Sequence, residues 1–88
     1  IRVQGKSMSS IGIYDGDLLV VDKSLKPKNL STVIVNVNDD LVVKNFIKEK
    51  DLQFLSSGSK NLKNKIILDS NSDIFIWGVV TYVIHALH

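Results

Sequence analysis

The middle of this chain contains two apolar runs joined by a short polar turn. Thr32–Val37 and Leu41–Lys48 are rich in β-branched residues, and Asn38-Asp39-Asp40 separates them. Asn and Asp tolerate the left-handed backbone conformation that tight hairpin turns require. The sequence therefore predicts a β-hairpin at this point. Lys50-Asp51 marks another turn further along the chain.

Other runs with strand periodicity occupy most of the remaining chain, and turn residues lie between almost all of them. With the hairpin included, the predicted strands lie near Arg2–Gln4, Leu18–Asp22, Thr32–Val37, Leu41–Lys48, Leu52–Ser56, Lys65–Leu68 and Ile74–His85. No stretch has convincing helical periodicity. The pattern predicts an all-β fold, a compact and partly open barrel or sandwich of about seven short strands.

The last predicted strand is apolar on both faces from Ile74 to Ile84. A strand with one solvated face would alternate with polar residues, so this strand is expected to be covered on both sides. It is either a central strand of the sheet or an edge that pairs with a second copy. We hypothesise a homodimer that uses this terminal region.

Composition indicates one globular domain over residues 1–88, with 44% hydrophobic and 23% charged residues. The absence of cysteine excludes a disulfide framework and a thiolate metal site. No apolar run is long enough to span a membrane, and the opening Ile1-Arg2-Val3 does not resemble a signal peptide. We expect a cytoplasmic protein with no membrane partner.

Lysines gather in two stretches of loop character. They are Lys23, Lys26 and Lys28 in the first and Lys60, Lys63 and Lys65 in the second. Such clusters could contact a nucleic-acid backbone. Solvated loops are the favoured interpretation, because no aromatic residue is interleaved with either cluster.

Ser7 is the candidate nucleophile. It lies in a Gly-x-Ser-Met sequence over residues 5–8, and an Asp-Gly-Asp turn at residues 15–17 then leads into the strand Leu18–Asp22. This order of turn and strand would hold one exposed hydroxyl in place. A serine hydroxyl is a weak nucleophile at neutral pH, so a base must lie within hydrogen-bond reach.

Lys44 is the better candidate for that base. In a strand it shares a face with Val42 and Phe46, which are both apolar. Burial disfavours the charged ammonium and would leave part of the amine neutral, able to take a proton from Ser7. The alternative is an edge lysine with its head group in water.

A Ser-His-Asp triad is the less favoured arrangement, because the histidines, His85 and His88, lie at the extreme C-terminus.

These residues resemble a known family. Gly5-x-Ser7-Met8, Gly12-Ile13-x-Asp15-Gly16-Asp17 followed by Leu18–Asp22, and Val42-Val43-Lys44 are similar to the self-cleaving serine-lysine peptidase domain shared by LexA-type repressors and UmuD-type mutagenesis proteins. The ending from Ile76-Trp77-Gly78-Val79-Val80 to Leu87 is closer to UmuD than to LexA. The resemblance covers nearly the whole chain and implies Ser7 and Lys44 as a catalytic dyad in a LexA/UmuD/signal-peptidase-like β-fold.

The resemblance also implies a mechanism and partners. Family members are homodimers that cleave their own N-terminal segment, typically between a small residue or cysteine and glycine, when a RecA filament on single-stranded DNA promotes the reactive arrangement. The dyad needs no cofactor and no metal. The first interpretation is a UmuD-like protein of the SOS response whose processed form serves an error-prone, UmuC-like translesion DNA polymerase.

Two alternatives remain open. One is the C-terminal self-cleavage and dimerisation domain of a LexA-like or phage repressor, and the other is a small β-barrel binding module without catalysis. Two departures from the family pattern also stand out. The sequence begins only six residues before Ser7, without the arm that would carry the scissile bond, and Leu55 to Lys65 contains no proline where relatives are expected to have one.

Overall fold

The computed structural model of the chain describes residues 1–4, 12–57, 65–69, 74–85 and 87. Among these residues, six strands form one antiparallel sheet. The strands are β1 (Leu18–Asp22), β2 (Thr32–Val37), β3 (Asp40–Glu49), β4 (Leu52–Ser56), β5 (Ile66–Leu68) and β6 (Phe75–Ile84). Their order across the sheet is β1-β6-β2-β3-β4-β5. The described part of the chain contains no helix with the length and apolar character needed to cross a membrane.

The all-β prediction is confirmed, and the ends of six predicted strands shift by at most one residue. The seventh, Arg2–Gln4, forms only an isolated bridge between Arg2 and Leu18. The backbone of Val3 forms hydrogen bonds with the turn before β1 instead of a strand ladder. Val3 N donates to Asp17 O and Gly16 N donates to Val3 O, both at 2.8 Å. This segment is therefore joined to the turn before β1 as well as to β1 itself.

The predicted hairpin connects β2 and β3. Val37 pairs with Asp40, so Asn38 and Asp39 form a two-residue turn. Both have positive φ, 50° and 68°, as the mirror-image turns of tight hairpins require. A second two-residue turn at Lys50-Asp51 joins β3 to β4, since Glu49 pairs with Leu52. These two turns fix the register of three consecutive strands.

Strand β6 lies between β1 and β2, so it is a central strand of the described sheet and the edge-strand alternative is wrong. The expectation of cover on both faces holds only for its middle, where Gly78 and Val79 are buried. Its two ends are open, since Phe75 is 69% exposed and Tyr82 71%. Position in the sheet explains the apolar middle, and the apolar ends need another explanation.

Both faces of the sheet carry a hydrophobic cluster. Alternation along β2 divides them, with Ile34 in the first cluster and Val33 and Val35 in the second. The first cluster is centred on Val3, Ile13, Leu19, Ile34 and Val43. The second cluster is centred on Val33, Val35, Phe46, Leu55 and Val79. The segment 1–4 thus lies across the first face and reaches from β1 to β3, because Val3 packs with Val43.

Candidate active site

Lys44 lies in the first half of β3, directly opposite Val33 of β2. Val42 and Phe46, its neighbours on the same face, both pack in the second cluster, while Val43 packs in the first. The predicted division of faces along this strand is therefore confirmed. Lys44 is half-buried, so the alternative of a freely solvated edge lysine does not describe it.

The head group of Lys44 has a polar partner that sequence analysis did not identify. Its Nζ donates a 2.9 Å hydrogen bond to the hydroxyl oxygen of Ser57, in a partly buried position. Ser57 directly follows β4, whose last ladder pair with β3 is Asn45 with Ser56. Counting outward from the Lys50-Asp51 turn along both strands would have placed Ser57 beside Lys44. That turn was predicted, so the signal was present in the sequence.

Ser7 lies outside the described residues, as do the other members of residues 5–11. Residues 1–4 line one side of a groove of about 190 Å³, and Leu41, Val42 and Val43 line the other side. The groove therefore runs between the chain that precedes Ser7 and the strand residues that precede Lys44.

The Asp-Gly-Asp turn is held by the carboxylate of its second aspartate. Asp17 is buried, and its Oδ2 accepts hydrogen bonds of 2.8 Å from Tyr14 N and from Nδ1 of His85. The Tyr14 backbone N–H holds the pKa of the Asp17 carboxyl below its usual range, the bond and charge of His85 act in the same direction, and burial opposes them. Gly16, with φ of 89°, supplies the left-handed residue of the turn.

His85 therefore has an aspartate behind its ring, as a triad would require. Its side chain is 50% exposed and its ring centroid lies 6.3 Å from that of Tyr14. His88 lies outside the described residues. The Asp17–His85 pair joins the end of β6 to the turn before β1. This structural role does not require a serine as a third member.

The lysine clusters are partly packed on aromatic rings. Lys23 Nζ lies 4.6 Å from the Trp77 ring centroid, and Lys65 Nζ lies 5.0 Å from that of Phe54. The other members are exposed, as for Lys26 and Lys28, or lie outside the described residues, as for Lys60 and Lys63. The solvated-loop interpretation of these clusters stays a prediction.

Comparison with known proteins gives a consistent family. Residues 1–81 match the family model described as Peptidase S24-like. The LexA repressor of Glaesserella parasuis serovar 5 (strain SH0165) is 36% identical over 86 residues, which is 98% of this chain and 41% of that protein. The LexA repressor of Shewanella woodyi (strain ATCC 51908 / MS32) is 34% identical over 84 residues, 96% of this chain and 41% of that protein.

A third relative is similar over a shorter stretch. The LexA repressor of Psychromonas ingrahamii (strain DSM 17664 / CCUG 51855 / 37) is 55% identical over 49 residues, 56% of this chain and 23% of that protein. The chain spans about two fifths of the length of the first two relatives. All three relatives are named as LexA repressors, and none supports the UmuD-type subtype. On the strength of the family match over residues 1–81, the chain belongs to the Peptidase S24-like family.

Proposed function

We propose that this chain is the self-cleaving, dimerising part of a LexA-like repressor, with Ser7 as nucleophile and Lys44 as general base. One observation carries the proposal. Lys44 is half-buried on β3 and its Nζ donates a 2.9 Å hydrogen bond to the Ser57 hydroxyl, so its head group is held in place as a general base requires. The peptidase family and the names of the repressor relatives support the same function.

The proposed reaction is acyl transfer. Neutral Lys44 takes the proton of the Ser7 hydroxyl as Oγ forms a bond to a backbone carbonyl carbon, and main-chain N–H groups around Lys6 and Ser7 bind the oxyanion. Lys44 then gives that proton to the leaving amine as the C–N bond breaks. Water hydrolyses the acyl-enzyme and restores the hydroxyl. The dyad carries out these steps without a metal or a cofactor.

The substrate we propose is an N-terminal arm that the same polypeptide places in front of residues 1–88, which act as one peptidase-type domain. An intramolecular arm has a high effective concentration, so weak docking beside the dyad suffices for reaction. Following the family resemblance, we propose that a RecA filament on single-stranded DNA promotes this docking. The repressor relatives are longer than the matched region, which leaves room for such an arm in proteins of this kind.

The UmuD-like interpretation is the second candidate, favoured by the ending Trp77-Gly78-Val79-Val80. It predicts an error-prone polymerase partner for the processed form. A helix-turn-helix encoded upstream of Ile1 would decide for the repressor, and a short arm without one would decide for the UmuD-like protein.

Self-cleavage is tested with the full chain fused behind an arm from the Shewanella woodyi LexA repressor that contains the candidate cleavage bond. We expect first-order cleavage that rises from about pH 7 to about pH 10, because only the neutral amine accepts the Ser7 proton. Ser7→Ala and Lys44→Ala should each reduce the rate by about 10³-fold or more. The rate is followed by gel electrophoresis and the cleaved bond by mass spectrometry.

His85→Ala is the matched control for the triad alternative. We expect it to retain the cleavage rate within about threefold, since the proposed proton acceptor is Lys44. A loss as large as that of Lys44→Ala would assign the base to His85 instead. No cleavage at any pH by a folded fusion would favour the binding module without catalysis.

A further inference from the structure

The hydroxyl of Ser57 lies against the head group of Lys44. The Nζ–Oγ distance is 2.9 Å, and both residues are half-buried. The β3–β4 ladder ends with the pair Asn45 and Ser56, so Ser57 is the first residue beyond the ladder and lies next to Lys44. The hairpin that joins the two strands therefore fixes the position of this hydroxyl relative to the amine.

Apolar residues lie beside Lys44 in the sheet, and its head group reaches the hydroxyl of Ser57. Val33 lies directly across on β2, and Phe46 lies on the same face two residues along β3. Both are buried hydrocarbons that can contact the four-carbon stem. Neither offers an acceptor for an N–H. The hydroxyl of Ser57 is the polar group to which Nζ donates.

The direction of this hydrogen bond matters for a base. A neutral lysine amine has two N–H groups and one lone pair, and it accepts a proton only along the lone pair. A hydroxyl that accepts one N–H restricts rotation about the Cε–Nζ bond and narrows the directions in which the lone pair can point. Without it, a flexible lysine head group samples many orientations, most of which are unproductive.

We propose that Ser57 is a positioning residue for Lys44, because by accepting one N–H it limits the orientations of the amine that acts as the base. The inference rests on the proposed Ser7–Lys44 function and names a third residue of that site. Ser57 exchanges no proton. The proton of Ser7 goes to Lys44 and then to the leaving amine, while Ser57 Oγ accepts the same N–H throughout.

The test uses a fluorophosphonate probe on the full chain, because this reaction needs no N-terminal arm. The serine oxygen forms a P–O bond, fluoride leaves, and the base takes the hydroxyl proton. Labelling rates and the labelled residue are determined by mass spectrometry. Ser57→Ala should slow labelling of Ser7 by about 10-fold to 100-fold, the range expected for a misplaced catalytic group.

Two variants separate positioning from stability. Ser57→Thr keeps the hydroxyl and should label within about threefold of the wild-type rate. Ser24→Ala removes a hydroxyl from an exposed turn after β1 and should leave the rate unchanged. Thermal unfolding midpoints are measured in parallel, since a purely structural role would lower the midpoint and the rate together.

Each outcome decides a different point. Wild-type labelling with an equally fast Ser57→Ala overturns the positioning role and leaves the Ser7–Lys44 function intact. A Ser57→Thr as slow as Ser57→Ala, with both fully folded, overturns it as well. A label on Ser57 itself would make it the nucleophile and overturn the positioning role. A folded wild type that neither labels at Ser7 nor cleaves a fused arm overturns the proposed function and this inference together.

Discussion

A single carboxylate, that of Asp17, joins two separate parts of the chain. It accepts from Tyr14 N within its own turn and from His85 at the end of β6, 68 positions later. Its backbone oxygen accepts from Val3 N, so the segment before Ser7 is attached to the same residue. The segment before Ser7 is therefore attached to the same turn that the Asp17 carboxylate holds.

The lowered pKa of Asp17 predicts a loss of stability in acid. A carboxyl group whose pKa is lower in the folded state than in the unfolded chain stabilises the fold above the unfolded value, about 3.9. That stability is lost as the pH falls through the folded-state pKa. We expect Asp17→Asn to lower the thermal unfolding midpoint at pH 7, and to reduce its dependence on pH below about pH 4.

The control is Asp39→Asn in the exposed β2–β3 turn, where Asn also tolerates positive φ. It should keep the pH dependence of the wild type. Some dependence will remain in Asp17→Asn, because hydrogen bonds from the Ser24 hydroxyl and backbone N–H also lower the pKa of Asp22. An Asp17→Asn profile parallel to that of the wild type between about pH 5 and pH 3 would contradict the assignment.

At the scale of elements, the contact between β1 and β6 depends on Gly78. A Cβ built at Gly78 would overlap Val21 Cγ1, and it would come within 3.4 Å of Lys23 Cγ. Val21 is β-branched and packs against the first cluster, so it cannot easily move away. We expect Gly78→Ala to lower the free energy of unfolding by about 1–3 kcal/mol, measured by urea denaturation.

A double-mutant cycle identifies the cause. In a Val21→Ala background the overlapping Cγ1 is absent, and the further cost of Gly78→Ala should fall below about 1 kcal/mol. An equal cost in both backgrounds would mean that the penalty arises elsewhere in β6. Val80→Ala, a neighbour in the same cluster, serves as the comparison background that keeps Val21.

Local signals in the sequence predicted the strands and turns, but they could not predict contacts between residues far apart in the chain. The Asn38-Asp39 and Lys50-Asp51 turns were predicted because turn chemistry depends on adjacent residues. The Asp17–His85 pair and the bulge between Ile34 and Val35 depend on how distant strands meet. Ser57 is an intermediate case, since the register set by a predicted turn places it beside Lys44. The local sequence around Ser7 made it the candidate nucleophile, and the resemblance strengthened that choice against the neighbouring serines.

For the whole molecule, one exposed apolar surface on β1 and β6 is unexplained by the fold. Leu18 pairs with Ile84 and Val20 pairs with Tyr82, so the four side chains share a face. They are 39%, 52%, 41% and 71% exposed, respectively. Leu19 and Val83, on the opposite face, pack in the first cluster. A contiguous apolar surface of this kind is typical of an interaction site.

We expect a second copy of the chain to cover this surface, in line with the proposed homodimer. A two-fold interface would place the same four residues of each copy against each other, which suits a self-complementary apolar patch. Sedimentation of the wild type at about 10 μM should give a dimer mass. Tyr82→Glu should weaken the dimer by about 10-fold or more, because it buries an unpaired charge at the centre of the interface.

Phe75→Glu is the matched control for that measurement. Phe75 is an aromatic residue of the same strand with nearly the same exposure, 69%, but it lies at the other end of β6. The added charge is therefore the same in both variants, and only its place in the sheet differs. A dimer that weakens equally in both would point to net charge rather than to this surface. A wild type that stays monomeric at about 100 μM would leave the patch without a second copy and would remove the homodimer from the proposed function.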